Sequence, residues 1–269
     1  MNNEEQTRNN SEQSIMALAR VSSISLIKEV LKKFFWGSYD NLGKLILANL
    51  FWFLFAIPLF ALLFMKSRIH FSHFLILFFP FLILLAPATA SVFNLTFQMI
   101  ERKNVKVARD FFAGIKRYLK RGTVLSAITI IMFTVGFVDI WFYANLRSLK
   151  ILSVILTVIG FWIVLLVALI QNYLFPLMVQ RNLSIKDNLL NSIYLTFDSL
   201  GFSFAIFLIS LAVWLIMGFS GLGILIFFIS IPSFLYNLAL KILLIRKYGM
   251  EGEIFEEKRG WKEFWFPWK

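Results

Sequence analysis

Cysteine is missing altogether from this 269-residue chain, and histidine occurs only twice. Without thiols there is no disulfide framework, no Cys-ligated zinc or iron–sulfur site and no thiolate nucleophile. Charge is scarce too: Asp, Glu, Lys and Arg make up 16% of the residues, too little to clothe a water-soluble domain of this length. The chain also lacks a nucleophile elbow, a phosphate-cradling glycine loop and an HExxH pair. No enzymatic activity, cofactor or metal is therefore expected, and without a phosphate loop the chain is not the ATPase of a transporter. His70 and His73 are three apart on one helical face, but no carboxylate or cysteine lies near them in sequence to complete a metal site.

What the chain has instead is apolar residues: 59% hydrophobic, 32 Phe and a mean hydropathy of +0.76. A bilayer core needs roughly 20 apolar residues per helix. Six stretches meet that length: Leu45–Met65, Phe71–Ile100, Thr123–Tyr143, Ile151–Phe175, Leu200–Gly218 and Leu222–Leu244. The expected fold is an all-α, polytopic membrane helix bundle of about six spans. The second stretch carries Pro80 and Pro87 and is expected to become a regular helix only after Pro87; if Phe71–Leu85 is re-entrant, the count falls to five.

Four regions follow from the patterning. Residues 1–13 are polar and expected to be disordered. No charged n-region with a short apolar core opens the chain, so no cleaved signal peptide is expected. Residues 14–44 hold an amphipathic stretch with Leu18, Val21, Leu26, Val30 and Phe34 on one face, expected to lie on the membrane surface. Residues 45–248 form the bundle, and residues 249–269 an acidic, Trp-rich tail expected to be cytoplasmic and to anchor at the interface.

The net charge of +12 invites a nucleic-acid reading, but the positions of the charges oppose it. With both termini on one side, that side carries 23 of the 27 Lys and Arg, and the other only Lys66, Arg68, Arg147 and Lys150. Such a bias sets topology, with the termini in the cytoplasm, and suits anionic lipid headgroups; no nucleic-acid partner is expected.

The two longer loops on the basic side repeat one another at an offset of 78 residues. Asn104/Asn182, Val107/Ile185, Asp110/Asn188, Phe111/Leu189, Phe112/Leu190 and Ile115/Ile193 correspond. Each copy reads as a helix end, a bend, an amphipathic helix and a return helix, implying a parallel internal repeat about an axis along the membrane normal. Asn104 and Asn182 are expected to stop the preceding helices through side-chain hydrogen bonds. Asp110 and Asp187 should favour the next helix N-termini. The helix Ala108–Lys120 is the expected surface for a partner or the inner leaflet, through Arg109, Asp110, Phe111, Phe112, Lys116 and Arg117.

Within the spans, Asp139 is the only deep carboxylate; it either reaches the interface and pairs with Arg147 or couples an ion. Asn49, Asn94, Gln98, Gln171, Asn172 and Asn237 either join helices by amide hydrogen bonds or contact a solute. Pro58, Pro80, Pro87 and Pro232 are expected kinks or helix breaks.

One order of motifs has a familial counterpart. Phe35-Trp36-Gly-Ser-Tyr39 precedes Asn49-Leu-Phe-Trp52 and Pro58; Pro87-Ala-Thr-Ala90 follows, then Ala108-Arg-Asp-Phe-Phe-Ala-Gly-Ile-Lys116. From Phe35 to about Tyr248 the chain resembles the YesL-like family of bacterial integral membrane proteins, a domain of unknown function. The resemblance implies a bacterial plasma-membrane protein with no established catalytic activity. Such proteins are encoded beside carbohydrate ABC importers, which implies an accessory or scaffolding subunit whose partners are ABC permease subunits or further copies of itself. The alternatives are a self-sufficient small-solute transporter using the repeat interface, or a membrane partner in sugar or envelope signalling.

Overall fold

Apolar runs free of strand-favouring alternation become helices throughout the described part of the chain. A computed structural model describes residues 22–65, 68, 70–146, 150–257 and 259. Among these, nine helices follow in order: α1 Ser23–Asp40, α2 Leu42–Phe64, α3 Phe71–Ile100, α4 Val107–Asn145, α5 Lys150–Arg181, α6 Ile185–Asp198, α7 Leu200–Phe219, α8 Leu222–Phe227 and α9 Ser230–Tyr248. Five of them (α2, α3, α4, α5 and α7) are long and apolar enough to cross a membrane. The fold is an all-α membrane bundle.

Three of the expected spans differ in detail. The second stretch does not begin as a broken segment: α3 runs unbroken from Phe71 to Ile100, through both Pro80 and Pro87. A helix packed on its neighbours tolerates the lost proline donor where adjacent groups adjust. The amphipathic helix Ala108–Lys120 and the span Thr123–Tyr143 are one 39-residue helix, α4. Nothing between them interrupts helical geometry, since Gly122 lies closely against Ala86 and Ala90 rather than in a turn. The sixth stretch, expected as one helix, is two, with α8 and α9 parted at Phe228–Ile229.

The apolar face of the expected surface helix is covered by protein. Leu26, Val30 and Trp36 of α1 are buried, and from Ser23 onward α1 packs along α9. Residues 14–21, including Leu18 and Val21, fall outside the described residues, as do the polar start 1–13 and the Trp-rich end from 260.

The repeat extends to a third unit. Each unit is an amphipathic helix, an outgoing helix and a return helix: α1–α3, then α4–α5 with the first two fused, then α6–α9. Phe34-Phe35-Trp36-Gly37, Phe111-Phe112-Ala113-Gly114 and Leu189-Leu190-Asn191-Ser192 correspond, as do Asn94, Asn172 and Asn237 on the return helices. Contacts bear this out. An added Cβ on Gly37 would lie 2.9 Å from the Phe234 ring, and one on Gly114 would clash with Ser91; Phe234 and Ser91 each stand three residues before their unit's Asn. The third small residue, Ser192, is fully buried. The return helices also end alike, each on a left-handed residue: Arg102 (φ 53°), Asn182 (φ 51°) and Gly249 (φ 63°).

The packing is cyclic. The three return helices α3, α5 and α9 pack on one another at the centre. Each unit's amphipathic helix lies on the return helix of the unit before it: α4 on α3, α6 on α5, and α1 on α9 to close the circle. The core follows this plan, and every residue of α9 from Ser230 to Leu244 is buried.

Candidate functional site

The polar side chains of the spans gather in two places. The first lies near the ends of the three return helices, and Asn237 is its hub. Its Nδ2 donates to Phe93 O (2.8 Å) and Thr96 Oγ1 (2.9 Å) on α3, while its O and Oδ1 accept from Gln180 Nε2 of α5 at 3.0 Å each. One residue of the third unit thus ties the other two together. Asn172 Nδ2 donates to Ser203 O (2.8 Å), and Tyr173 shares a 2.7 Å hydrogen bond with Ser203 Oγ. Asn94 accepts a long hydrogen bond from Tyr118 OH (3.4 Å). The Oδ1 atoms of Asn172 and Asn188 have no partner among the described residues.

The second place is the break between α8 and α9, and Asn49 of α2 fills it. Its Nδ2 donates to Ile224 O (3.2 Å) and Leu225 O (2.8 Å). Its Oδ1 accepts from Ile229 N (2.8 Å) and Ser230 N (3.3 Å). The freed Phe228 O accepts from Trp214 Nε1 (3.0 Å), and Pro232 has no N–H to leave unpaired. An orphaned backbone group in hydrocarbon costs several kcal/mol, so an interrupted helix persists there only when such groups are served. Along α9 the break stands twelve residues from Lys241, roughly 18 Å by helical rise. Lys241 itself pairs with Glu101 at the end of α3. The break is therefore on the order of half a bilayer core away from that end.

That end of the bundle carries the charged residues. Asp110 Oδ2 accepts from Lys106 N (2.9 Å), and Asp187 accepts from Ser184 Oγ (2.6 Å) while its own N–H donates back, so both acids cap first turns as expected. Asn182 ends its helix, and its Oδ1 accepts from Arg121 Nη1 (2.5 Å). Asn104 does not end α3; Arg102 takes the left-handed turn because Lys103 N already reaches back to Gln98 O and closes the helix end. Asp198 accepts from Lys247 Nζ (2.6 Å) and from Tyr248 OH. The Lys247 bond leads the group in holding its carboxyl below the ordinary carboxylate value. Glu29 lies between Lys33 and Arg246; burial pushes its pKa up, but the two cations outweigh it and leave the carboxyl lowered.

From Gly249 the chain runs over this end without regular structure. Phe255 lies near Lys33 (5.6 Å) and Arg102 (5.3 Å), and Arg259 bonds both Asp40 and Glu257 while sitting 4.4 Å from the Trp36 ring centroid. Beneath this strap are cavities of about 470 and 180 Å³, both bordered by Glu101, Lys241 and Glu253.

The other expected site residues are scattered. Asp139 lies half-buried beside Gly160 on α5, twenty-one residues along α4 from Tyr118, roughly 31 Å by helical rise. Its expected partner Arg147 is outside the described residues. Gln98 is half-buried, and its carbonyl accepts from Lys103 N. Pro58, Pro80 and Pro87 sit inside continuous helices; of the four prolines, only Pro232 adjoins a break. Phe111 is not on the expected outer surface. It is buried against Phe51 and Phe55, because its helical face turns to α2. Arg109, Phe112, Lys116 and Arg117 remain exposed. No group of three or more metal-ligating side chains occurs among the described residues. Thr96, Gln180, Ser203 and Trp214 were not foreseen, since each acts through a partner remote in sequence.

The fold and its buried amides define a polytopic α-helical membrane protein built from a cyclic repeat. Residues 45–140 match the family described as "Protein of unknown function, DUF624", in agreement with the YesL-like resemblance. No curated protein and no solved structure matches the chain.

Proposed function

We propose that this protein is a non-enzymatic accessory or scaffolding subunit of a carbohydrate ABC importer in the bacterial plasma membrane, with both termini cytoplasmic. The sixth crossing is the broken pair α8–α9. The observation that carries the reading is the length of α4. Its 39 residues extend about 58 Å by helical rise, roughly twice the hydrocarbon core, so its first turns project from the bilayer as a rigid continuation of a span. The projecting part exposes Phe112 and Leu119 among Arg109, Lys116, Arg117 and Lys120, a surface suited to a permease subunit. The resemblance supplies the importer. The buried amides support a structural rather than a solute-binding role, because most of their capacity goes to neighbouring helices.

Isolation in mild detergent followed by mass spectrometry should recover permease components in stoichiometric amounts. Charge reversal by Lys116→Glu with Arg117→Glu should lower that recovery at least several-fold while the protein itself accumulates normally. Recovery of the protein alone, unaffected by the substitutions, sinks the proposal.

One observation favours a second reading, a self-sufficient transporter: a broken helix about half a core deep is a common element of solute sites. Uptake by liposomes containing only this protein, abolished by Asp139→Asn, would establish it.

A further inference from the structure

The break in the third unit differs little from a helix. Phe228 has φ −50° and ψ −44°, and Ile229 has φ −105° and ψ −30°; only the φ of Ile229 departs far from the helical value of about −63°. No glycine or proline occurs between Ile224 and Ile231. Pro232 does not force the break, because Pro58, Pro80, Pro87 and Pro176 all sit in unbroken helices.

The interruption is instead a side chain inserted into the hydrogen-bond ladder. In a continuous helix Ile229 N would donate to Leu225 O. Here the Asn49 amide stands between them, taking the N–H on its oxygen and giving its own N–H to the carbonyl. A polar side chain inserted in this way is an established cause of helix interruption. Withdrawing it lets the ladder close directly. Ser230 Oγ is fully buried and has no partner among the described residues in the broken form, and in a closed helix it can bond back to Ile226 O.

The molecule itself displays the closed alternative twice. The residues nine before the return-helix asparagines are Leu85, Ile163 and Phe228; the first two lie in unbroken helix. We propose that the segment 222–248 is a two-state element that exchanges between a broken form latched by Asn49 and a continuous form like those of α3 and α5. Closure re-aims α8 and the α7–α8 tip at Phe219–Leu222 against α2. The device is independent of which partner the basic end takes.

The cysteine-free chain allows two spin labels to be placed without background, at Leu222 on the tip and at Leu190 on α6, both exposed. Pulsed electron–electron distance measurements on the full chain in lipid nanodiscs are expected to give two populations. Asn49→Leu should shift their ratio roughly tenfold or more towards the continuous form, a change equivalent to about 1.4 kcal/mol. A single distance in the parent protein overturns the proposal even if the variant fails to fold. Two distances whose ratio is unchanged by Asn49→Leu overturn the latch.

Discussion

The first and third units start from the same plan and end differently. In the first, the return helix α3 runs 30 residues without interruption although it contains two prolines. In the third, the return path is interrupted before its single proline, and α9, buried at every residue from Ser230 to Leu244, begins at the break. Proline content therefore does not decide continuity here. A neighbouring amide does: Asn49 enters the third unit's ladder, and the corresponding part of α3 meets Trp52, whose indole donates to Thr89 Oγ1 (2.9 Å) and leaves the backbone bonds alone.

The comparison is open to breakage at its contact points. The largest effect is expected at Gly114, where a side chain meets Ser91 at the tight α3–α4 crossing. Gly114→Val should destabilise by about 1–3 kcal/mol or prevent assembly, whereas Gly37→Ala meets a Phe234 ring that can shift, and costs less. The melting temperature in detergent, read from tryptophan fluorescence, measures both. If the two substitutions are equally mild, the small residues do not mark equivalent contacts. Next come the three asparagines. Asn237→Leu loses bonds to two helices and should cost about 1–2 kcal/mol, more than Asn94→Leu, which loses one long bond; membrane hydrogen bonds average about 0.6 kcal/mol. Equal losses at both positions would remove Asn237 as the hub.

The smallest effect concerns pH. The folded Asp198 carboxyl titrates below its ordinary value of 3.8, so the stability it contributes is present above that value and is lost as pH falls through the lowered one. Thermal stability should therefore fall in acid below about pH 4, and Asp198→Asn should flatten that part of the profile. An unchanged acid limb in the variant would show that Asp198 does not hold α9 to α6.

Much of this plan is legible in the chain, and the limits are physical. The outgoing and return helices declare themselves as apolar runs, and the two caps at Asp110 and Asp187 follow from local chemistry. The fusion of α4 is harder to read, because the cations from Lys116 to Arg121 announce water while leaving helical geometry untouched. The third unit is disguised by its shorter hairpin and by Lys241 standing where Gln98 and Pro176 stand in the others. The break at Phe228 has one local trace, Pro232, but Pro58, Pro80 and Pro87 carry the same mark within unbroken helices. Its cause is an asparagine about 180 residues earlier, recognisable in sequence as a polar residue in a span but not as a partner for backbone.

Cyclic closure has a consequence for the order of synthesis. The seat of α1 is α9, so the first helix made belongs on the last one. At about 5–20 residues per second, the roughly 200 residues between them take on the order of 10–40 s to emerge. For that interval Leu26, Val30 and Trp36 lack their seat on α9, and the bilayer surface is an apolar phase at hand. The amphipathic pattern of α1 thus serves twice, first as a temporary raft at the interface and then as the clasp that completes the circle.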